Sequence, residues 1–135
     1  MTKYLLDTNI LSYFIRAHHA GLKARVVQAI GREQALVSAV VRAEIRFGQS
    51  RMAPDDKRRR AIDLLLDQLP TLPWTVAVAD TYGPLKTRLQ KLGQPIGELD
   101  TQIAAHALAE NLTLVTHNTR HFERIAGLKL EDWLV

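Results

Sequence analysis

A chain of 135 residues, 47% hydrophobic and 24% charged, is long enough to bury a core and too apolar to remain disordered. It contains no cysteine, which excludes disulfides, thiolate catalysis and cysteine-ligated zinc. Eighteen Lys and Arg against fourteen Asp and Glu give a formal charge of +4 and a pI near 9.7, a balance that suits a polyanionic partner such as nucleic acid.

The chain opens with Tyr4, Leu5 and Leu6, a short buried strand with Asp7 at its C-terminal end. This apolar run is too short for a signal peptide, and no later segment has the length of a membrane span. The expectation is a cytoplasmic protein that does not cross a membrane. Thr8 and Asn9 are predicted to cap a helix in which Ile10, Leu11, Phe14 and Ile15 recur at helical spacing, running to about Ala17. His18, His19 and Gly21 break it. Leu22, Val26, Val27 and Ile30 form a second helical stripe, closed by Gly31. Ala35 to Val37 reads as a second strand, and Ser38 as the cap of a helix to about Gln49. Glu44 lies in that helix's second turn, beside the face shared by Val41, Ile45 and Gly48.

Pro54, Asp55 and Asp56 are predicted to start a charged helix whose run from Lys57 to Arg60 faces solvent. Ile62, Leu65, Leu66 and Leu69 form its apolar side. Trp74 to Val78 reads as a third strand. A helix opening at Val78 or Asp80 runs to Gly93, with Pro84 near its start as a kink or a shifted beginning. After a loop through Pro95 and Gly97, Glu98 to Glu110 is helical. Leu112 to Thr116 is a fourth strand, His117 to Arg120 a polar turn, His121 to Ile125 a short helix and Gly127 to Leu130 an edge strand. Trp133 is a terminal anchor. Short strands alternating with helices give an α/β domain with a mainly parallel sheet, one domain over residues 1–135.

In such a sheet the carboxyl ends of the strands lie on one edge, where ligands bind. Asp7 ends the first strand, Glu44 follows the second, Asp100 starts the helix before the fourth, and Thr116, His117 and Asn118 follow the fourth. Converging carboxylates repel one another, and a divalent cation reverses that term. Hard oxygen donors with no zincin-type histidine pair suit Mg²⁺, with Mn²⁺ as substitute. His106 reads as a packing or hydrogen-bonding histidine.

Asp7-Thr8-Asn9 after a strand, Ser38 through Glu44 to Gly48, Pro95-Ile96-Gly97 before Asp100, and Thr116-His117-Asn118 before Phe122 together resemble the motifs of PIN-domain ribonucleases, in particular the VapC toxin group. The resemblance covers nearly the whole chain in order. It implies a PIN-like α/β/α sandwich and a Mg²⁺- or Mn²⁺-dependent endoribonuclease. It also implies neutralisation by a VapB-type antitoxin, with a homodimer and a larger toxin–antitoxin complex as the expected assemblies. Asp7, Glu44 and Asp100 take the positions of the core acids, Glu44 directly or through water. Thr8, Asn9, Ser38, Thr116 and Asn118 are supporting residues. At the fourth acidic position this chain departs from the family, with Asn118 at the aligned place and His121 where related toxins often carry an acid. The substrate class is RNA, with initiator tRNA as a target by analogy. Two rival readings come from the residues themselves. One is a phosphatase or phosphotransferase with Asp7 as nucleophile; the other is a non-catalytic RNA-binding module.

Overall fold

The computed structural model describes residues 1–16 and 19–135. The expected end of the first helix at Ala17, and His18 in the break after it, lie outside the described residues. The elements run β1 (Tyr4–Leu6), α1 (Thr8–Arg16), α2 (Ala20–Gly31), β2 (Ala35–Ser38), α3 (Ala39–Ser50), α4 (Lys57–Gln68), β3 (Thr71–Leu72), α5 (Val76–Lys91), α6 (Glu98–Ala109), β4 (Thr113–Val115), α7 (Thr119–Phe122) and β5 (Lys129–Glu131). The strands form one sheet in the order β3-β2-β1-β4-β5, with every pairing parallel. Helices flank it as an α/β/α sandwich, the expected fold class.

The central strands are apolar because both faces are covered. Leu5, Leu6, Val37, Leu114 and Val115 have no exposed surface, and Ile10, Leu11, Val41, Ala104 and Ala107 close over them from the helices. Connections run from β1 out to β2 and β3 on one side, and from β4 to β5 on the other. The order therefore reverses between β1 and β4, a topological switch point of the kind beside which ligands bind in open α/β sheets. Trp133 anchors the end of the chain as expected. It is buried, and its ring meets Tyr4 of β1 edge-on at 5.0 Å between centroids.

Local chemistry moved several boundaries. Thr8 and Asn9 do not cap α1. They form its first turn, because Asp7 takes the cap itself, its Oδ1 accepting from the Ile10 N–H at 2.8 Å and its carbonyl from Leu11. Ser38 caps α3 as its sequence position suggested. Pro54 does not open α4; Asp56 precedes the helix as its cap, accepting from the Arg58 N–H. The strand placed at Trp74 to Val78 is instead Thr71–Leu72. Thr75 accepts from the Val78 N–H, which turns Val76, Ala77 and Val78 into the start of α5. Pro84 lies inside α5 rather than at its beginning.

Leu114 lies in β4, between β1 and β5, with no exposed surface. Leu114→Ala should lower unfolding stability in urea by about 2–5 kcal/mol. Val27→Ala, on the 54% exposed Val27, should stay within about 0.5 kcal/mol.

Candidate active site

Register aligns the strand ends. Leu6 pairs with Val115, so the following residues, Asp7 and Thr116, stand side by side at the carboxyl edge. Leu5 pairs with Leu36, which carries Ser38 to the other side of Asp7 two places on. Asp7 is therefore flanked by two hydroxyl residues across the centre of the sheet, and both are fully buried. The N-termini of α1, α3 and α7 begin at this same edge, where their partial positive ends favour anions.

Asp7 is only 5% exposed. Burial pushes its pKa up from 3.8 to about 6; hydrogen bonds from Thr116 and the Ile10 N–H pull it down, and the charges of Asp100 and Asp132 push it up again. Asp100, in the first turn of α6, is also raised, chiefly by burial, against the lowering influence of His121. His121 Nε2 lies 3.2 Å from Asp100 Oδ2 and 2.6 Å from the Ile96 carbonyl oxygen. Because both neighbours accept, that nitrogen carries the proton. The charge of Asp100 thus reaches Asp7 across the edge.

Other expected members sit less centrally. Glu44 is exposed on α3, in a groove of about 440 Å³ that it shares with Thr8, Ser12, Arg16, Gln49 and Arg58. The groove joins Glu44 to Thr8, the neighbour of Asp7. Asn9 is exposed. Asn118 is exposed at the start of α7, its backbone N–H donating to Thr116 Oγ1 at 3.1 Å and its side chain making no cap. Of the two residues considered for the fourth position, His121 is the one turned onto a site acid. His106 is buried and bonds Ser38 Oγ through Nδ1 at 2.8 Å, which ties α6 to the end of β2 as its hydrogen-bonding reading expected.

The donor set fits a hard divalent cation. It offers carboxylates and hydroxyls, and Thr8 Oγ1 is buried beside Asp7 with no hydrogen-bond partner among the described residues. Also among the described residues, no three His, Asp or Glu side chains are gathered tightly enough to hold an ion unaided. Mg²⁺ is commonly held by one or two carboxylates together with waters and substrate phosphates, and Asp7 with Asp100 matches that minimum. Asp132 was not foreseen in this neighbourhood. The signal was an acid directly after a short apolar strand, as at Asp7, but the strand had been placed one residue short of Glu131.

A model of the PIN domain matches residues 4–128. Ribonuclease VapC2 of Haemophilus influenzae is 37% identical over 134 residues, covering 99% of this chain and 100% of that protein. The tRNA(fMet)-specific endonuclease VapC of Shigella flexneri is 32% identical, covering 98% of this chain and 99% of its own. Among solved structures, VapBC2 from Rickettsia felis bound to a promoter DNA fragment contains a chain that superposes with a TM-score of 0.89. That chain is 34% identical, with 98% of this chain and 99% of that one covered.

An acid raised in the folded state favours folding below its unfolded pKa and loses that advantage as pH rises through the folded value. For Asp7 the window runs from about 4 to about 6, and full ionisation costs about 3 kcal/mol by the usual conversion. Asp7→Asn should therefore raise the urea stability of the metal-free protein by up to about 3 kcal/mol at pH 7.5, and by little at pH 3.5. Equal effects at both pH values would contradict the burial of this charge.

Proposed function

The chain belongs to the PIN-domain family, among the VapC ribonucleases, and from that premise we propose that it is a metal-dependent endoribonuclease toxin held in check by a cognate VapB-type antitoxin. The observation that carries the reading is the row of strand ends with buried Asp7 at its centre and the charge of Asp100 reaching it. Residues 1–135 act as one catalytic domain. Its place of action is the cytoplasm, in keeping with an intracellular RNA substrate; among the described residues no helix is long and apolar enough to cross a membrane.

Asp7 and Asp100 are the ligands of a Mg²⁺ ion, with Mn²⁺ as its substitute, and Glu44 approaches from the groove on α3, directly or through water. The cation supplies positive charge beside the scissile phosphate and acidifies the attacking water. Thr116 and Ser38 fix the Asp7 side of the edge. Thr8, Asn9 and Asn118 form the rim on which ordered water and the RNA backbone are received. The basic surface draws RNA toward an otherwise acidic cleft, and target shape with unpaired bases sets specificity. The Shigella flexneri relative's name makes initiator tRNA the first target to test. A homodimer and a larger complex with the antitoxin are the expected assemblies, since similar chains were solved as VapBC complexes.

The phosphotransferase reading is disfavoured by Asp7's surroundings. Its carboxylate is buried and its Oδ1 is spent on the Ile10 N–H, a setting that suits a fixed ligand better than an attacking nucleophile.

Brief induction followed by sequencing of new RNA ends should reveal a small set of cleavage sites and arrested growth. Asp7→Asn and Asp100→Asn should each lower cleavage by at least about 10²-fold, the usual scale for losing a principal charged group of an active site, with the fold retained. Full cleavage by purified, folded Asp7→Asn protein would contradict the assignment.

A further inference from the structure

Strand β5 ends level with β1 and β4. Leu6 pairs with Val115, and Val115 pairs with Glu131. The next residues, Asp7, Thr116 and Asp132, therefore form one row across three adjacent strands. Backbone bonds carry the register to the edge, from Asp7 N to the Val115 carbonyl at 3.2 Å and from Thr116 N to the Glu131 carbonyl at 3.0 Å. With parallel strands about 4.8 Å apart, the backbones of Asp7 and Asp132 are separated by about 10 Å, within reach of an unscreened charge.

The Asp132 side chain is only 13% exposed. Its Oδ1 accepts from the Leu134 N–H at 2.9 Å, and its Oδ2 accepts from His117 Nδ1 at 3.0 Å. The other ion pairs among the described residues use full-time cations: Arg58 with Asp56, Arg46 with Asp63, Lys86 with Glu98, and Arg25 with Glu131. At the edge both partners are histidines, His117 on Asp132 and His121 on Asp100. An imidazole holds a carboxylate in place by donating one N–H, without the permanent charge of Arg or Lys. Each acid at the edge thus meets one imidazole.

We propose that Asp132 is a further acidic member of the cation site, acting through its charge and not as a direct ligand, and supplying from β5 the negative charge that Asn118 does not. That charge acts whether or not His117 bonds the Asp132 carboxylate. This rests on the reading of the edge as a cation site. It assigns a role to the end of β5, beyond the core acids that the family resemblance supplies. The consequence is a site whose metal affinity depends on Asp132 as well as on Asp7, Asp100 and Glu44, although Asp132 does not touch the ion.

The test is calorimetric titration of Mn²⁺ into the purified chain, paired with thermal melting in chelator. Asp132→Asn keeps an oxygen for the Leu134 N–H and removes the charge. It should weaken the Mn²⁺ Kd by about three- to tenfold, the scale of one unit charge at this range, while the metal-free melting temperature holds or rises. Asp132→Ser, whose hydroxyl can accept the same bond, is a second neutral variant and should behave alike. His117→Ala breaks the pair but keeps the charge, and should leave the Kd within about twofold of the parent, since screened polar-edge effects are small. A Kd unchanged in both neutral variants overturns the proposal. So does a weaker Kd accompanied by an equally weakened His117→Ala or by a lowered metal-free melting temperature, which assigns the effect to packing. A parent chain that takes up no Mn²⁺ overturns the cation reading itself, and this proposal with it.

Discussion

The buried charge of Asp7 is the constraint on which this site depends. A carboxylate at the end of a central strand is nearly out of reach of water, and burial is the largest of the causes that raise its pKa to about 6. The surroundings compensate only in part. The Ile10 N–H and the Thr116 hydroxyl stabilise the ionised form, and the first turn of α1 adds its dipole. Asp100 and Asp132 act in the opposite direction. A fold optimised for stability alone would place a neutral side chain here. That destabilisation would add to the affinity for a divalent cation, since binding one would convert mutual repulsion into attraction.

The rest of the molecule keeps that arrangement rigid. Five short parallel strands are locked in register by a core that covers both faces, and the switch point lies between β1 and β4. His106 binds Ser38 from α6, so the helix that carries Asp100 is tied to the strand next to Asp7. His121, from α7, holds Asp100 and the Ile96 carbonyl together. Each acid is thus positioned by an element other than its own. A displaced helix would change the field at Asp7 before it changed the core.

Much of this was legible in the sequence because strong local signals agreed with the fold. The runs at Tyr4–Leu6, Ala35–Val37 and Leu112–Thr116 are short, mostly apolar and bounded by polar residues, and they hold β1, β2 and β4. Asp7 and Asp100 were identified by their places relative to those strands, and the charge of Asp100 reaches Asp7. What was missed depended on single hydrogen bonds. Thr75 turned an apolar stretch from strand to helix by capping α5, and β3 shrank to two residues held by pairing with β2. Asp7 took a cap that Thr8 and Asn9 seemed to offer. Asp132 was hidden because its relation to Asp7 exists only through the register of β5 on β4, which periodicity does not encode.

The central claim is that the carboxyl edge of the sheet is a divalent cation site centred on Asp7 and Asp100. Crystals of the chain soaked in Mn²⁺ and measured at the manganese absorption edge test it most directly. The account predicts an anomalous peak in the crevice between β1 and β4, in contact with the carboxylates of Asp7 and Asp100. A peak confined to the exposed acids elsewhere, with the Asp7 crevice empty at saturating Mn²⁺, would contradict it.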